Sequence, residues 1–321
     1  MERRRFDYLE LDDGSAAPTE RKPRAAASLR PVEIIGGPGG RLGELNRPLG
    51  VAVDGYGNIY VADTANHRVQ RVTPGGEVFA FSGYGHDIGA LDSPADLVVD
   101  GQLNVYVVET GNCRVTKFSP RGEALVAFGR PGRGPGELDG PCAIARDRHG
   151  VLYVSDTGTA RVQKFDARGR FIAVLADTHT SGLAAPRGLA LDAALNVFVA
   201  DDGRDCVMVL SHEGGRIGTI GEPGSEPGRL SGPRGLAILP DAVLMVSEER
   251  NCRVQGLTFA GESVCEFCGS GKSLALRAPA GLALDTQTGD IYLADAGSHC
   301  VIRFRYVSER GAGARGEETG A

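Results

Sequence analysis

Short apolar runs rich in Val, Ile, Leu and aromatic residues recur along the chain, each ended by a polar turn, and they come in sets of constant order. A proline precedes the first run of every set, at Pro48, Pro94, Pro141, Pro186, Pro233 and Pro279, with spacings of 46, 47, 45, 47 and 46 residues. The runs that follow are GVAVD from Gly50, DLVVD from Asp96, AIARD from Ala143, GLALD from Gly188, GLAIL from Gly235 and GLALD from Gly281. A second, longer run comes next, such as NIYVADTANHRVQRV from Asn58 or NVYVVETGNCRVTKF from Asn104. Its β-branched and aromatic content predicts strands. In the first set the two halves of this run are expected to pair as a hairpin, and Thr73-Pro74-Gly75-Gly76 to turn the chain into a fourth strand ending at Phe81. No amphipathic run of helical period competes with this reading.

A fixed period of this length points to a repeat architecture. An isolated four-stranded antiparallel meander exposes two faces and two edges, whereas six stacked radially cover the faces and leave only short edges. The predicted fold class is therefore all-β: a six-bladed β-propeller of four-stranded antiparallel blades. The sixth set lacks a fourth strand after Val307, and Val32-Glu33-Ile34-Ile35 precedes Gly36-Gly37 as other fourth strands precede their glycines. This N-terminal strand is expected to close the sixth blade. The resulting domain reading is a disordered N-terminal tail over 1–31, a propeller over 32–307 and a disordered C-terminal tail over 308–321.

The segment Asp-Gly-x-Gly-Asn-Ile-Tyr-Val-Ala-Asp-Thr-x-Asn-His-Arg-Val at Asp54–Val69 resembles the NHL repeat, and related versions occur in all six sets. The resemblance implies a six-bladed propeller but no single activity, since propellers of this type bind proteins, bind RNA or, in the peptide-amidating lyases, catalyse. Fold and function are separate inferences.

Composition narrows the alternatives. Gly and Pro total 64 of 321 residues, which is turn-rich but short of low complexity. A net charge of −6 gives no general cationic field for a polyanion or an anionic lipid surface. Seven cysteines, an odd number spread from Cys113 to Cys300, do not resemble a secreted disulfide framework. The basic start MERRR is not followed by an apolar run of signal-peptide length, and no stretch is long enough to span a membrane. The chain reads as cytoplasmic, with no membrane partner.

Candidate chemistry lies in departures from the repeat. Arg68, Arg114, Arg161 and Arg253 each follow an acid by five residues, namely Asp63, Glu109, Asp156 and Glu248, and are expected to brace their own loops. Cys206 and Cys300 replace that arginine in two sets, so Asp201 and Asp295 are expected to present unpaired carboxylates. After the repeat proline stand Leu49, Ala95, Cys142, Arg187, Arg234 and Ala280, and one position later Asp96 is the only charged residue among glycines and an alanine. Arg187, Arg234, Asp96 and Cys142 are thus expected at one channel mouth, where guanidinium forks suit a carboxylate or phosphate.

Other motifs carry less. His67 and His299 share a motif position, and no histidine falls in the first strands, so no metal-ligand set or cofactor site is predicted. Cys265-Glu266-Phe267-Cys268 lacks a second ligand pair. The Gly-rich loops lack the Lys-Ser/Thr and helix start of a phosphate loop. Loops on the presumed binding face sum to a negative charge, which disfavours nucleic acid. The functional expectation is a non-catalytic binding or scaffolding module that takes a protein partner on the lead-in-loop face, with room for a small anionic ligand. The alternative is a metal-dependent lyase or hydrolase working in the channel, as the amidating-lyase resemblance implies.

Overall fold

The computed structural model describes residues 27–269 and 274–308. Six four-stranded antiparallel sheets form, five of them from consecutive strands. Blade 1 comprises Val51–Val53, Ile59–Asp63, Arg68–Val72 and Val78–Phe81, and blades 2 to 5 repeat the order from Pro94, Pro141, Pro186 and Pro233. The sixth sheet joins Pro279–Leu284, Asp290–Asp295 and Cys300–Ser308 to the N-terminal strand Ala27–Ile35. The all-β, six-bladed reading and its closure by an N-terminal strand both hold.

The closing strand begins at Ala27 rather than Val32, pairing Ala27 with Ser308 and Ile35 with Val301. A register shift between Pro31 and Glu33 breaks its alternation, which hides the earlier half from a period-two reading. Leu29 is buried against blade 5. Residues 1–26 and 309–321, which hold most of the two expected tails, lie outside the described residues.

The cores lie between blades. Second strands are buried on both faces, as in Val105–Glu109 and Val197–Asp201, because each is the interior of a sheet sandwiched by two others. Aromatic pairs join neighbours: Phe81 meets Phe118 at 5.1 Å between ring centres, Phe128 meets Phe165 at 5.1 Å, and Phe267 meets Phe304 at 4.9 Å. Polar bonds also cross between blades, with Thr64, Thr110 and Thr157 hydroxyls donating to the Pro94, Pro141 and Pro186 carbonyls at 2.7, 2.7 and 2.6 Å.

The turn from second to third strand is the same in every blade. His67, Cys113, Ala160, Asp205, Cys252 and His299, with φ between 48° and 56°, adopt the left-handed conformation that non-glycine residues rarely take. They aim the third strand back along the sheet. This geometry accounts for the motif better than any shared side-chain chemistry, since six positions use four residue types.

Candidate functional site

The first strands meet around the axis, and their upper ends define a pocket of about 280 Å³. Glycines bring these strands close: a Cβ on Gly188 would lie 2.0 Å from the Arg234 carbonyl oxygen. Blade 2 places Asp96 at the corresponding position, so a carboxyl enters where four blades carry glycine and blade 3 carries Ala143. Arg187 and Arg234 come from neighbouring blades 4 and 5, and Cys142 from blade 3. In a six-membered ring blade 2 faces blade 5, which sets Asp96 across the axis from Arg234. Leu189, Leu236 and Leu282 supply apolar wall.

Each polar member of the pocket has a defined partner. Arg234 donates from Nε to Glu249 Oε2 at 2.7 Å. Arg187 is held more loosely, with Nη2 at 3.5 Å from Asp202 Oδ2, and its buried Nε makes no hydrogen bond. The two guanidinium side chains remain 30% and 24% exposed, so both reach the pocket opening. The Cys142 thiol lies 2.9 Å from Thr157 Oγ1. Asp96 Oδ2 accepts the main-chain N–H of Ile144 at 3.0 Å. Burial pushes the Asp96 carboxyl up to about 7, only partly opposed by the Ile144 and Leu97 amides. The group can therefore hold or release a proton near neutrality.

Asp201 and Asp295 lie elsewhere, and the expectation that they are unpaired is corrected. Both are fully buried. Asp201 accepts the amides of Ala184 and Ala185 at 2.9 and 2.8 Å, and Asp295 those of Arg277 and Ala278 at 3.0 and 2.8 Å. Main-chain donors from the lead-in loop, together with the Arg204 guanidinium 3.9 Å from Asp201 and the Ser298 hydroxyl donating to Asp295 at 2.7 Å, take the place of the repeat arginine. In the other blades the expected pairs form: Arg68–Asp63 at 2.7 Å, Arg114–Glu109 at 2.8 Å, Arg161–Asp156 at 3.2 Å and Arg253–Glu248 at 2.6 Å. Each arginine also binds lead-in-loop carbonyls, as Arg68 does with Gly40 and Glu44 at 2.9 Å each.

The motif histidines are blade connectors, a role the sequence reading missed. His67 Nδ1 accepts the Ser93 amide and His299 Nδ1 the Arg47 amide, each at 3.1 Å and each from the next blade around the ring. The signal was their position before a strand, next to the following lead-in loop. Cys265 is buried and Cys268 exposed, so the two thiols do not share a face. Among the described residues, no group of three or more His, Cys, Asp or Glu side chains is placed to hold a metal ion. No helix among them is long and apolar enough to cross a membrane.

A family model of the NHL repeat matches residues 45–72 and 276–304, which fall in blades 1 and 6. No curated protein matches the sequence. Solved structures do. A streptogramin B lyase superposes with a TM-score of 0.62 at 13% identity, covering 88% of this chain and 98% of that one. A gluconolactonase from Xanthomonas campestris gives 0.64 at 15% identity, covering 89% and 99%. A chain of a nidogen/laminin complex gives 0.64 at 17% identity, covering 84% and 99%. At such identities the likeness is one of fold, and the fold is shared by enzymes and by a protein found in a complex.

Proposed function

We propose that this six-bladed propeller with NHL repeats is a non-catalytic binding module that holds a protein partner on its lead-in-loop face, the channel-mouth pocket seating an acidic group of that partner. The observation that carries the reading is convergence. Four residues that break the repeat at two adjacent positions, Arg187, Arg234 and Cys142 directly after the repeat proline and Asp96 one residue further on, line one pocket, while the repeat-keeping charges are spent on loop geometry. Arg187 is held only by a 3.5 Å contact with Asp202, and its side chain is partly exposed at the pocket. A carboxylate or a phosphate would take both guanidinium groups, and a free small anion of that kind could occupy the same place. The seven cysteines are free thiols, which fits the cytoplasm.

Asp96 supports a second reading. A buried carboxyl that titrates near neutrality inside a pocket is suited to proton transfer, and it favours a lyase or hydrolase in the channel. Metal analysis of the purified protein, with and without chelator, tests the metal-dependent form of that alternative.

The first reading is tested by affinity capture from native lysate with the wild type and an Arg187→Glu/Arg234→Glu variant, with proteins and nucleic acids identified in both eluates. The expected result is a specific protein retained by the wild type and lost from the variant. Equal capture by both proteins, or recovery of nucleic acid alone, would overturn it.

A further inference from the structure

A cavity larger than the channel-mouth pocket lies elsewhere in the ring. A cleft of about 470 Å³ runs between blade 6 and blade 1, where the ring closes, lined by apolar side chains including Ile35, Leu45, Ile59, Val61, Val72 and Val78. Its cause is a departure from the repeat. The last residue of the third-strand motif is Phe118, Phe165, Leu210, Leu257 and Phe304 in blades 2 to 6, each at most 1% exposed. In blade 1 the residue is Val72, which is only partly buried. Its neighbour across the boundary is Ile35, where Phe81, Phe128 and Phe267 stand at other boundaries. Three other boundaries bring two phenylalanines together here, and the remaining two pack Ala176 with Leu210 and Ile220 with Leu257 in closed cores. Only at the ring closure do both members of the pair, Val72 and Ile35, stay partly buried, and the cleft lies beside them.

We propose that this closure cleft binds a small uncharged molecule with a flat aromatic or branched apolar body and one hydrogen-bond acceptor. Its volume falls within the range of ordinary ligand sites, and its walls are mainly apolar. The charges in its lining are already engaged, which excludes a need for a charged ligand. Arg303 pairs with Glu33 at 3.3 Å and with Asp290 at 2.6 Å, and Asp285 accepts the Gln287 amide at 2.9 Å and the Thr288 hydroxyl at 2.7 Å. Gln70, Thr73, Gln287 and Thr288 are bonded within the protein, which leaves two phenols in the lining, Tyr56 exposed to solvent and Tyr292 buried in the wall. Tyr60, Tyr106 and Tyr153 point their hydroxyls at the turn aspartates Asp54, Asp100 and Asp147, at 3.1, 3.5 and 3.3 Å. Tyr292, their counterpart in blade 6, lines the cleft, and its hydroxyl makes no hydrogen bond among the described residues. It is the donor for the ligand's acceptor. Such a ligand bridges the first and last blades, so its binding stabilises the closed ring.

The test titrates the full chain with prodan, a neutral naphthalene fluorophore carrying one carbonyl acceptor, whose emission shifts to the blue in apolar surroundings. Saturable binding to one site is expected, together with a rise in the thermal midpoint. Val72→Phe installs the side chain that blades 2, 3 and 6 carry, and is expected to weaken binding at least tenfold without lowering the midpoint. Ile35→Phe narrows the same cleft from the opposite wall and gives the same reading if the first variant does not fold. Tyr292→Phe is expected to weaken binding severalfold. Arg187→Glu/Arg234→Glu is expected to bind prodan as the wild type does, which separates this site from the channel mouth. Absence of saturable binding to the wild type would overturn the proposal, as would unchanged affinity in the folded cleft-filling variant or loss of binding in the arginine variant.

Discussion

Asp96 Oδ2 accepts the Ile144 amide at 3.0 Å across the boundary between blades 2 and 3, so a carboxyl does there what a close backbone contact does between glycine-bearing first strands. Burial raises this carboxyl to about 7. The folded chain then keeps a proton that the unfolded chain releases near pH 4. The sign follows: this group favours folding fully below about pH 4, and the contribution is lost as pH rises to about 7. Asp96→Asn keeps a carbonyl acceptor for Ile144 and removes the titration. Wild-type stability should therefore fall relative to Asp96→Asn by on the order of 1.4 kcal/mol per pH unit across that window, then run parallel above it. Urea unfolding of both proteins from about pH 4 to about pH 8 measures the difference, and a flat difference would show that Asp96 does not titrate there.

The repeat arginines should be far more costly to remove than surface ones. Arg253 is 5% exposed, and it donates to Glu248 at 2.6 Å and to the Ser225 and Arg229 carbonyls at 2.6 Å each. Arg253→Ala leaves a buried Glu248 without its cation and should cost about 3–5 kcal/mol. Arg253→Lys restores charge without the fork and should recover only part of that loss. Arg133→Ala removes an exposed pair with Asp139, 78% and 43% accessible, and should cost below about 1 kcal/mol. Equilibrium unfolding of the three variants decides the order.

The ring is legible in the sequence because each unit repeats the same proline, turn and strand signals, and a sixfold register converts positions along the chain into positions around an axis. That is why Arg187, Arg234, Asp96 and Cys142, compared at equivalent positions, point to one pocket before any coordinates exist. Satisfaction of Asp201 and Asp295 was not legible, since most of their partners are main-chain amides and every residue but proline carries one. The cleft beside Val72 depended on Ile35 meeting it at the closure, a contact between a strand of blade 1 and a strand that completes blade 6. Proline and charge at Arg30-Pro31, followed by a register shift, concealed the strand's start at Ala27.

Closure should depend on that strand. Leu29 is 6% exposed in the cluster that joins blades 5 and 6. Leu29→Ala should cost about 2–5 kcal/mol. Deletion through Ile35 bares the Cys300–Ser308 strand as an open edge and should lower the thermal midpoint far more than the point variant does. Calorimetry of both proteins checks this, and a deletion no worse than Leu29→Ala would mean that the ring does not rely on its N-terminal strand.

Approach of the first strands sets the width of the channel, and glycine sets the approach. A Cβ on Gly235 would stand 2.2 Å from the Ala280 carbonyl oxygen and 2.7 Å from the Leu282 nitrogen, both backbone atoms that cannot rotate away. Relief requires blades 5 and 6 to part, and their separation breaks the Ser247 hydroxyl's link between the Gly235 amide and the Ala280 carbonyl. Gly235→Ala should therefore cost about 3 kcal/mol or more, at the upper end of overpacking effects. Gly37→Ala meets nothing within 4 Å and should be neutral or slightly stabilising through the unfolded chain. Denaturant midpoints of the pair measure the contrast. Similar values would mean that the first strands yield easily, and a channel with walls that yield could not hold Arg187 and Arg234 at a fixed distance for one anionic group.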